Sequence, residues 1–194
     1  MNPLVSVITV SNRPGQKELV ESMVNAQSYP EIEWIYVDTC DSTKTLGEHR
    51  NDAISYSRAD YLAIFDDDDW NHPDRIQIQM DTLEEHDLDC CALSSIMLEI
   101  PKEGTIQSFW RPYWEGTLVC RREILIKHPY KPRQRTEDTN VGEIWDNPKY
   151  KCMGLNLPHL YLYKQHSSNT SGEEHFQRLF RQSKDAENRR LHLR

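Results

Sequence analysis

Long apolar runs are missing from this sequence. No window approaches the roughly 18 consecutive apolar residues of a membrane-spanning helix, so no such span is expected in this sequence. Paired cysteines are missing too. The five cysteines are an odd number, none forms a C-x-x-C pair, and Cys90 and Cys91 are adjacent. That pattern fits reduced thiols in a cytoplasmic protein better than a disulfide framework or a zinc site. Glycine is scarce, at seven residues, and the first loop, Ser11-Asn12-Arg13-Pro14-Gly15, holds only one. A backbone cradle for a triphosphate needs several, because close approach of backbone to phosphate needs glycine. Positive charge is also short: 23 Lys and Arg against 31 Asp and Glu give a net charge of −8, which argues against a grip on nucleic-acid phosphates. Two basic stretches qualify that, Arg121, Arg122, Lys127, Lys131, Arg133 and Arg135 in one, and Arg178, Arg181, Lys184, Arg189, Arg190 and Arg194 in the tail. They are either solvated faces or a sign of a polyanionic acceptor or partner. No basic lead or small-residue cleavage site precedes residues 4–10, so no signal peptide is expected.

What is present is the composition of an ordinary globular chain, 37% hydrophobic and 28% charged, with the length of one domain. Residues 4–10 are a β-branched apolar run closed by a polar loop, which predicts a buried strand. Leu19, Val20, Met23 and Val24 follow at helical spacing, and Tyr29-Pro30 stops that helix. Residues 32–37 predict a second strand, 45–57 a helix with Leu46, Ala53 and Ile54 inward, and 61–65 a third strand. This β-α-β-α-β order implies a mostly parallel sheet flanked by helices. In such sheets ligands bind beyond the carboxyl ends of the strands, so the loops after Val10, at Asp38 and at Asp66 should share one crevice. Pro73 opens a further helix with Ile76, Met80 and Leu83 on one side. Residues 88–100 should be extended, 101–104 a turn, 110–145 short strands and loops over the sheet edge, 157–163 a late strand, and 174–193 a terminal helix docked by Phe176, Leu179, Phe180 and Leu191. Trp110, Trp114 and Trp145 could wall a ligand site or pack as ordinary aromatics.

Asp66-Asp67-Asp68-Asp69 follows the third strand and precedes Trp70. Like charges this close repel by about 1 kcal/mol per pair even in water. If the extended conformation continues, alternation puts Asp66 and Asp68 on one side. Two carboxylates there suit Mg²⁺ or Mn²⁺, hard cations that take oxygen ligands and leave positions open for phosphate. The competing reading is a solubilising acidic turn.

These motifs resemble, in order and over about residues 4–171, the family 2 glycosyltransferases. That resemblance implies an α/β GT-A fold with a Rossmann-like, mostly parallel central sheet. It also implies an inverting enzyme that moves a sugar from a nucleotide-diphosphate sugar, with a UDP-sugar the expected donor, to an acceptor hydroxyl. The run from Val5 to Arg13 is similar to the family's opening strand and loop along the nucleotide, which implies donor contacts for Thr9, Ser11, Asn12 and Arg13. Tyr36-Val37-Asp38 resembles the strand whose aspartate binds the base, although Thr39-Cys40-Asp41-Ser42-Thr43 departs from the usual Asp-Gly-Ser-Thr continuation. Arg50 and Asn51 resemble the helix beside the donor. Phe65 to Asp69 resembles the D-x-D metal motif, implying Asp68 as metal ligand, Asp66 on ribose or metal, and Asp67 on the donor. Gly116 to Arg122 is similar to the segment before the acceptor site, and Thr136-Glu137-Asp138 to the Glu-Asp motif, implying Asp138 as general base beside Glu137. The segment from Tyr163 to Ser171 resembles the one whose histidine adds a metal ligand in some members, implying His166. By this match residues 1–194 form one domain: a nucleotide-sugar half over 1–100, an acceptor and catalytic half over 101–172, and a terminal helix over 173–194. The acceptor is left open among polysaccharide, lipid, protein, small molecule and a polyanion such as modified DNA. Two other function classes stay open: a nucleotidyltransferase on a similar sheet, disfavoured by the glycine-poor first loop, and a nucleotide-sugar-binding module without catalysis.

Overall fold

A computed structural model of the chain describes residues 2–40, 42–109, 112–167, 169 and 171–191. Val5–Ser11 (β1) is buried along almost its whole length, as an internal parallel strand must be. It pairs in parallel with Ile32–Asp38 (β2) on one side and Tyr61–Ile64 (β3) on the other. The crossovers Lys17–Asn25 (α1) and Leu46–Tyr56 (α2) cover opposite faces. Val20, Met23 and Val24 of α1 pack with Val5 and Val7, whereas Ala53 and Ile54 of α2 pack with Ile8 and Leu62. The predicted helix over 45–57 is α2 plus its two cap residues. Thr45 and Glu48 form a reciprocal capping box, which satisfies orphan N–H groups of the first turn. Leu19, expected on the inner face of α1, is 53% exposed.

After β3 come Trp70–Asn71 (β4), Arg75–Glu85 (α3), Cys90–Leu93 (β5), Ile96–Ile100 (β6) and Gly104–Ser108 (β7). Then follow Val119–Arg121 (β8), Arg122–Lys127 (α4), Thr139–Trp145 (α5), Cys152–Leu155 (β9), Tyr161–Lys164 (β10) and Glu173–Leu191 (α6). The main sheet runs β2-β1-β3-β8-β5-β9, and a smaller one runs β4-β10-β6-β7. The 88–100 segment is therefore two strands in two sheets. The 110–145 segment does not lie over the sheet edge: β8 inserts antiparallel between β3 and β5, in the middle. Three residues without alternation give no periodic signal, which is why the insertion is invisible in the sequence. Ile76, Met80 and Leu83 of α3 face the core as expected, joined by Arg75 and Gln79. Helix α6 docks through Phe176, Leu179 and Phe180 against β6 and β10 residues. The Leu191 side chain lies outside the described residues. Among the described residues no helix is long and apolar enough to cross a membrane, and all five cysteines are free.

One close approach carries the second half of the chain to the first. A Cβ at Gly47 would collide with the carbonyl of Lys131, so glycine there lets the 131–138 segment lie on the first turn of α2. Gly47 N–H donates to Arg133 O at 3.2 Å, and Leu46 N–H to Gln134 Oε1 at 3.2 Å.

Candidate active site

A cleft of about 810 Å³ opens beyond the carboxyl ends of β1, β2 and β3, where the sequence places it. Its lining includes Asn12, Arg13, Thr39, Arg50, all four aspartates of the acid run, Glu137 and Asp138, with His175 and Arg178 added by α6. Thus segments from Asn12 to Arg178 meet at one surface.

The acid run is a turn, not an extension of β3. Alternation therefore fails, and each carboxylate goes to its own partner. Asp66 accepts from Arg50 Nη2 at 2.8 Å. Asp67, buried, accepts from Ser11 Oγ and from two nitrogens of Arg13, Nε at 3.1 Å among them. Asp68 meets Arg13 Nη2 at 3.0 Å, His166 Nε2 at 2.9 Å and Asn169 Nδ2 at 3.3 Å. Asp69 turns inward to the Tyr161 hydroxyl and to Lys164 N–H at 3.0 Å. Burial raises the Asp66 carboxyl to about 6, against the downward pull of Arg50, and its neighbours Asp68 and Asp67 add to the rise. Burial, then the charges of Asp68 and Asp66, put Asp69 well above the ordinary carboxyl range.

Arg50 is buried between Asp66 and Glu137, the latter 3.4 Å away, and stacks over the Tyr130 ring at 5.2 Å. Burial raises the Glu137 carboxyl, opposed by Arg50. Asp138 occupies the N-cap position of α5, makes no capping hydrogen bond and lines the cleft, its charge acting on nearby Arg50 and Glu137. The residue before this pair, Thr136, has φ +56°, a left-handed conformation that a β-branched side chain adopts only under constraint from its surroundings.

Not every sequence-predicted donor contact lines the cleft. The Thr9 hydroxyl is buried and accepts from Trp34 Nε1 at 3.2 Å. Asn51 exchanges two hydrogen bonds with the Tyr130 backbone, holding the 130–138 segment in place. Ser11 reaches the site through Asp67. Asp38 ends β2 and accepts from Cys40 N–H at 3.0 Å, which holds its carboxyl below the usual range, while Thr39 and Cys40 themselves face the cleft. Among the described residues no three His, Cys, Asp or Glu side chains converge closely enough to hold a metal, so the expected Asp66, Asp68 and His166 trio is not assembled. Asp68 and His166 alone come together.

Of the tryptophans, Trp114 is buried against Tyr163, at 5.9 Å between ring centroids, and lines the cleft. Trp145 packs on Tyr113, and Trp110 lies outside the described residues, as do Asp41, Ser168 and Thr170. Half of the basic 121–135 stretch is spent on ion pairs within the chain: Arg121 on Asp89, Lys127 on Glu123, Lys131 on Glu143. Sequence reasoning missed Tyr161 and Arg75. Arg75 lies fully buried over Phe65, 4.3 Å from the ring centroid, and donates to Ile64 O at 2.6 Å. An arginine in register with Ile76, Gln79 and Leu83 on the inner face of α3 was the available signal.

Set beside known proteins, residues 40–146, more than half of the chain, match the model of Glycosyl transferase family 2. The chain belongs to that family. No curated protein matches it in sequence. Solved structures match in fold. The TarS fragment 1–349 of S. aureus is 17% identical with a TM-score of 0.66, covering 83% of this family 2 chain and 60% of that one. The mannosyltransferase PcManGT of Pyrobaculum calidifontis, solved with GDP-Man and Mn²⁺, is 13% identical with a TM-score of 0.64, covering 91% and 60%. Glucosyl-3-phosphoglycerate synthase of M. tuberculosis is 12% identical with a TM-score of 0.59, covering 90% and 75%. This family 2 chain thus spans about 60% of the first two solved chains. TarS has also been solved with UDP-GlcNAc.

Proposed function

We propose that the cleft transfers a glycosyl group from a nucleotide-diphosphosugar, a UDP-sugar foremost, to an acceptor hydroxyl with inversion. The observation that carries this is that Asp138, free of any capping hydrogen bond, lines the same cleft as the acid run at the end of β3. In that reading Asn12, Thr39 and the loop after Asp38 meet the nucleotide. Arg13, Asp66 and Asp67 meet ribose and diphosphate. Asp138 accepts the proton of the acceptor hydroxyl, whose oxygen attacks the anomeric carbon from the face opposite the diphosphate. The base must come within about 3 Å of that oxygen. Glu137 acts by holding Arg50, and through it Asp66.

A divalent cation, Mn²⁺ or Mg²⁺, completes the reading. The carboxylate and imidazole of Asp68 and His166, 2.9 Å apart, are fitting donors. Such ions often take one or two protein ligands and fill the rest with substrate phosphate and water. The ion supplies positive charge to the departing diphosphate. The free cysteines accord with a cytoplasmic protein.

Asp138→Asn should abolish transfer and leave donor binding intact; normal transfer by that variant would remove the base assignment. A thermal-shift series of UDP-, GDP-, CDP- and TDP-sugars with manganese identifies the nucleotide, and no shift with any of them would remove the donor reading.

A further inference from the structure

We propose that Arg13 is a built-in counter-cation of the acid run, so that a divalent ion binds tightly only together with a nucleoside diphosphate. This rests on the reading that such an ion joins Asp68 and His166.

The guanidinium sits where the ion is needed. It makes a forked contact with Asp67, meets Asp68 Oδ2 at 3.0 Å, and brings Nη1 to 3.3 Å from His166 Nε2. One planar cation thus touches both donors assigned to the metal. A forked arginine–carboxylate pair is among the stronger polar contacts a protein makes. An incoming ion must displace it from Asp68 and then stand beside a second positive charge.

The contact is also built to open. The Arg13 side chain keeps 22% of its surface and lines the cleft. Asp67 is buried, but Ser11 continues to donate to it when Arg13 leaves. What Arg13 needs in exchange is another anion, and the diphosphate of the donor is the one the cleft is proposed to receive. Ion and nucleotide therefore bind as a unit: the phosphates draw the guanidinium away and the ion takes its place.

The test is direct Mn²⁺ binding, read from the paramagnetic resonance of free manganese, with and without UDP. Wild type, Arg13→Gln and Arg13→Lys are compared, each checked for folding by thermal unfolding. Wild type should bind Mn²⁺ weakly alone and at least about tenfold more tightly with UDP, the size expected for relieving one nearby like charge. Arg13→Gln should bind Mn²⁺ alone about tenfold more tightly than wild type. Arg13→Lys, which keeps the charge and loses the fork, should fall between. Equal affinities of wild type and Arg13→Gln without nucleotide, with Mn²⁺ still recruited by UDP, would overturn the role of Arg13 and leave the cation reading standing. No Mn²⁺ uptake by any variant, even with UDP, would overturn both.

Discussion

Replacing Arg50 by Met keeps the length of the side chain and removes its charge. Arg50 is 8% exposed and is the cation in contact with both Asp66 and Glu137. Both carboxyls already sit above their ordinary values because of burial, and in both Arg50 is the main opposing influence. Breaking a buried pair by removing one partner costs about 3–5 kcal/mol. The lower end applies here, because the carboxyls can take up a proton, and loss of the stack on Tyr130 adds a fraction more. At about 2–4 °C per kcal/mol for a chain of this size, Tm should fall by roughly 6–12 °C at pH 8. The pH dependence fixes the cause. Without Arg50 the Asp66 value rises above about 6, so the folded variant binds protons that wild type does not. Its deficit should therefore shrink as pH drops from 8 to 5.5. Calorimetric unfolding of wild type and Arg50→Met at both values measures this. A deficit that is the same at both would refute the assignment of the cost to two stranded carboxylates and leave lost packing as its source.

Transfer itself should fall as pH drops through about 6, since Asp66 then loses the charge that Arg50 holds, whereas the stability contributed by Asp66 runs the other way, present near pH 4 and lost as pH rises through 6; opposite slopes in a rate profile and an unfolding series check the pair. Arg75→Met removes a buried guanidinium with two nitrogens unpartnered among the described residues, so Tm should change by only a few degrees while the acidic limb of the rate profile moves up, and an unmoved limb would deny Arg75 any electrostatic part. Gly116→Ala brings a methyl to 2.6 Å from Asp66 Oδ2 and 3.0 Å from the Tyr161 hydroxyl, so donor KM should rise with the fold intact, and unchanged kinetics would show that Asp66 moves freely. Tyr161→Phe leaves buried Asp69 with Lys164 N–H alone and should cost about 1–3 kcal/mol in denaturant unfolding.

The first three strands and their two crossovers were legible because each is a whole unit of period or cap. Val5 to Val10 is uninterrupted, and Thr45 and Glu48 announce α2 by themselves. Their parallel order then located the cleft. The acid run was legible as a cluster and not as a geometry. Alternation assumes that the strand continues, but four like charges and the pull of Arg13, Arg50 and Tyr161 in three directions turn the chain. Thr9 and Asn51 occupy motif positions, yet which of a motif's polar groups serves ligand and which serves backbone depends on partners far along the chain, Trp34 and Tyr130 here. Strands β8 and β9 of the main sheet and β4 of the smaller one are too short to show a period, so beyond the extended 88–100 segment the order of the remaining strands had no sequence signal to follow.

Charge ties these observations together. Seven Asp and Glu line the cleft against five Lys and Arg. Two of those cations, Arg13 and Arg50, are committed to the acid run, and Lys44 is committed to Asp52 outside it at 2.5 Å. A diphosphate brings further negative charge to a surface that already holds too much. Asp66, Asp69 and Glu137 are raised first by burial, and neighbouring carboxylates add to the rise at each. Such a cleft would repel the proposed donor unless positive charge is added or released at the moment of binding. An ion that enters with the nucleotide adds it; a guanidinium freed from Asp68 releases it. On the proposed reading, the loop that carries Arg13 is as much a part of donor recognition as the aspartates it covers.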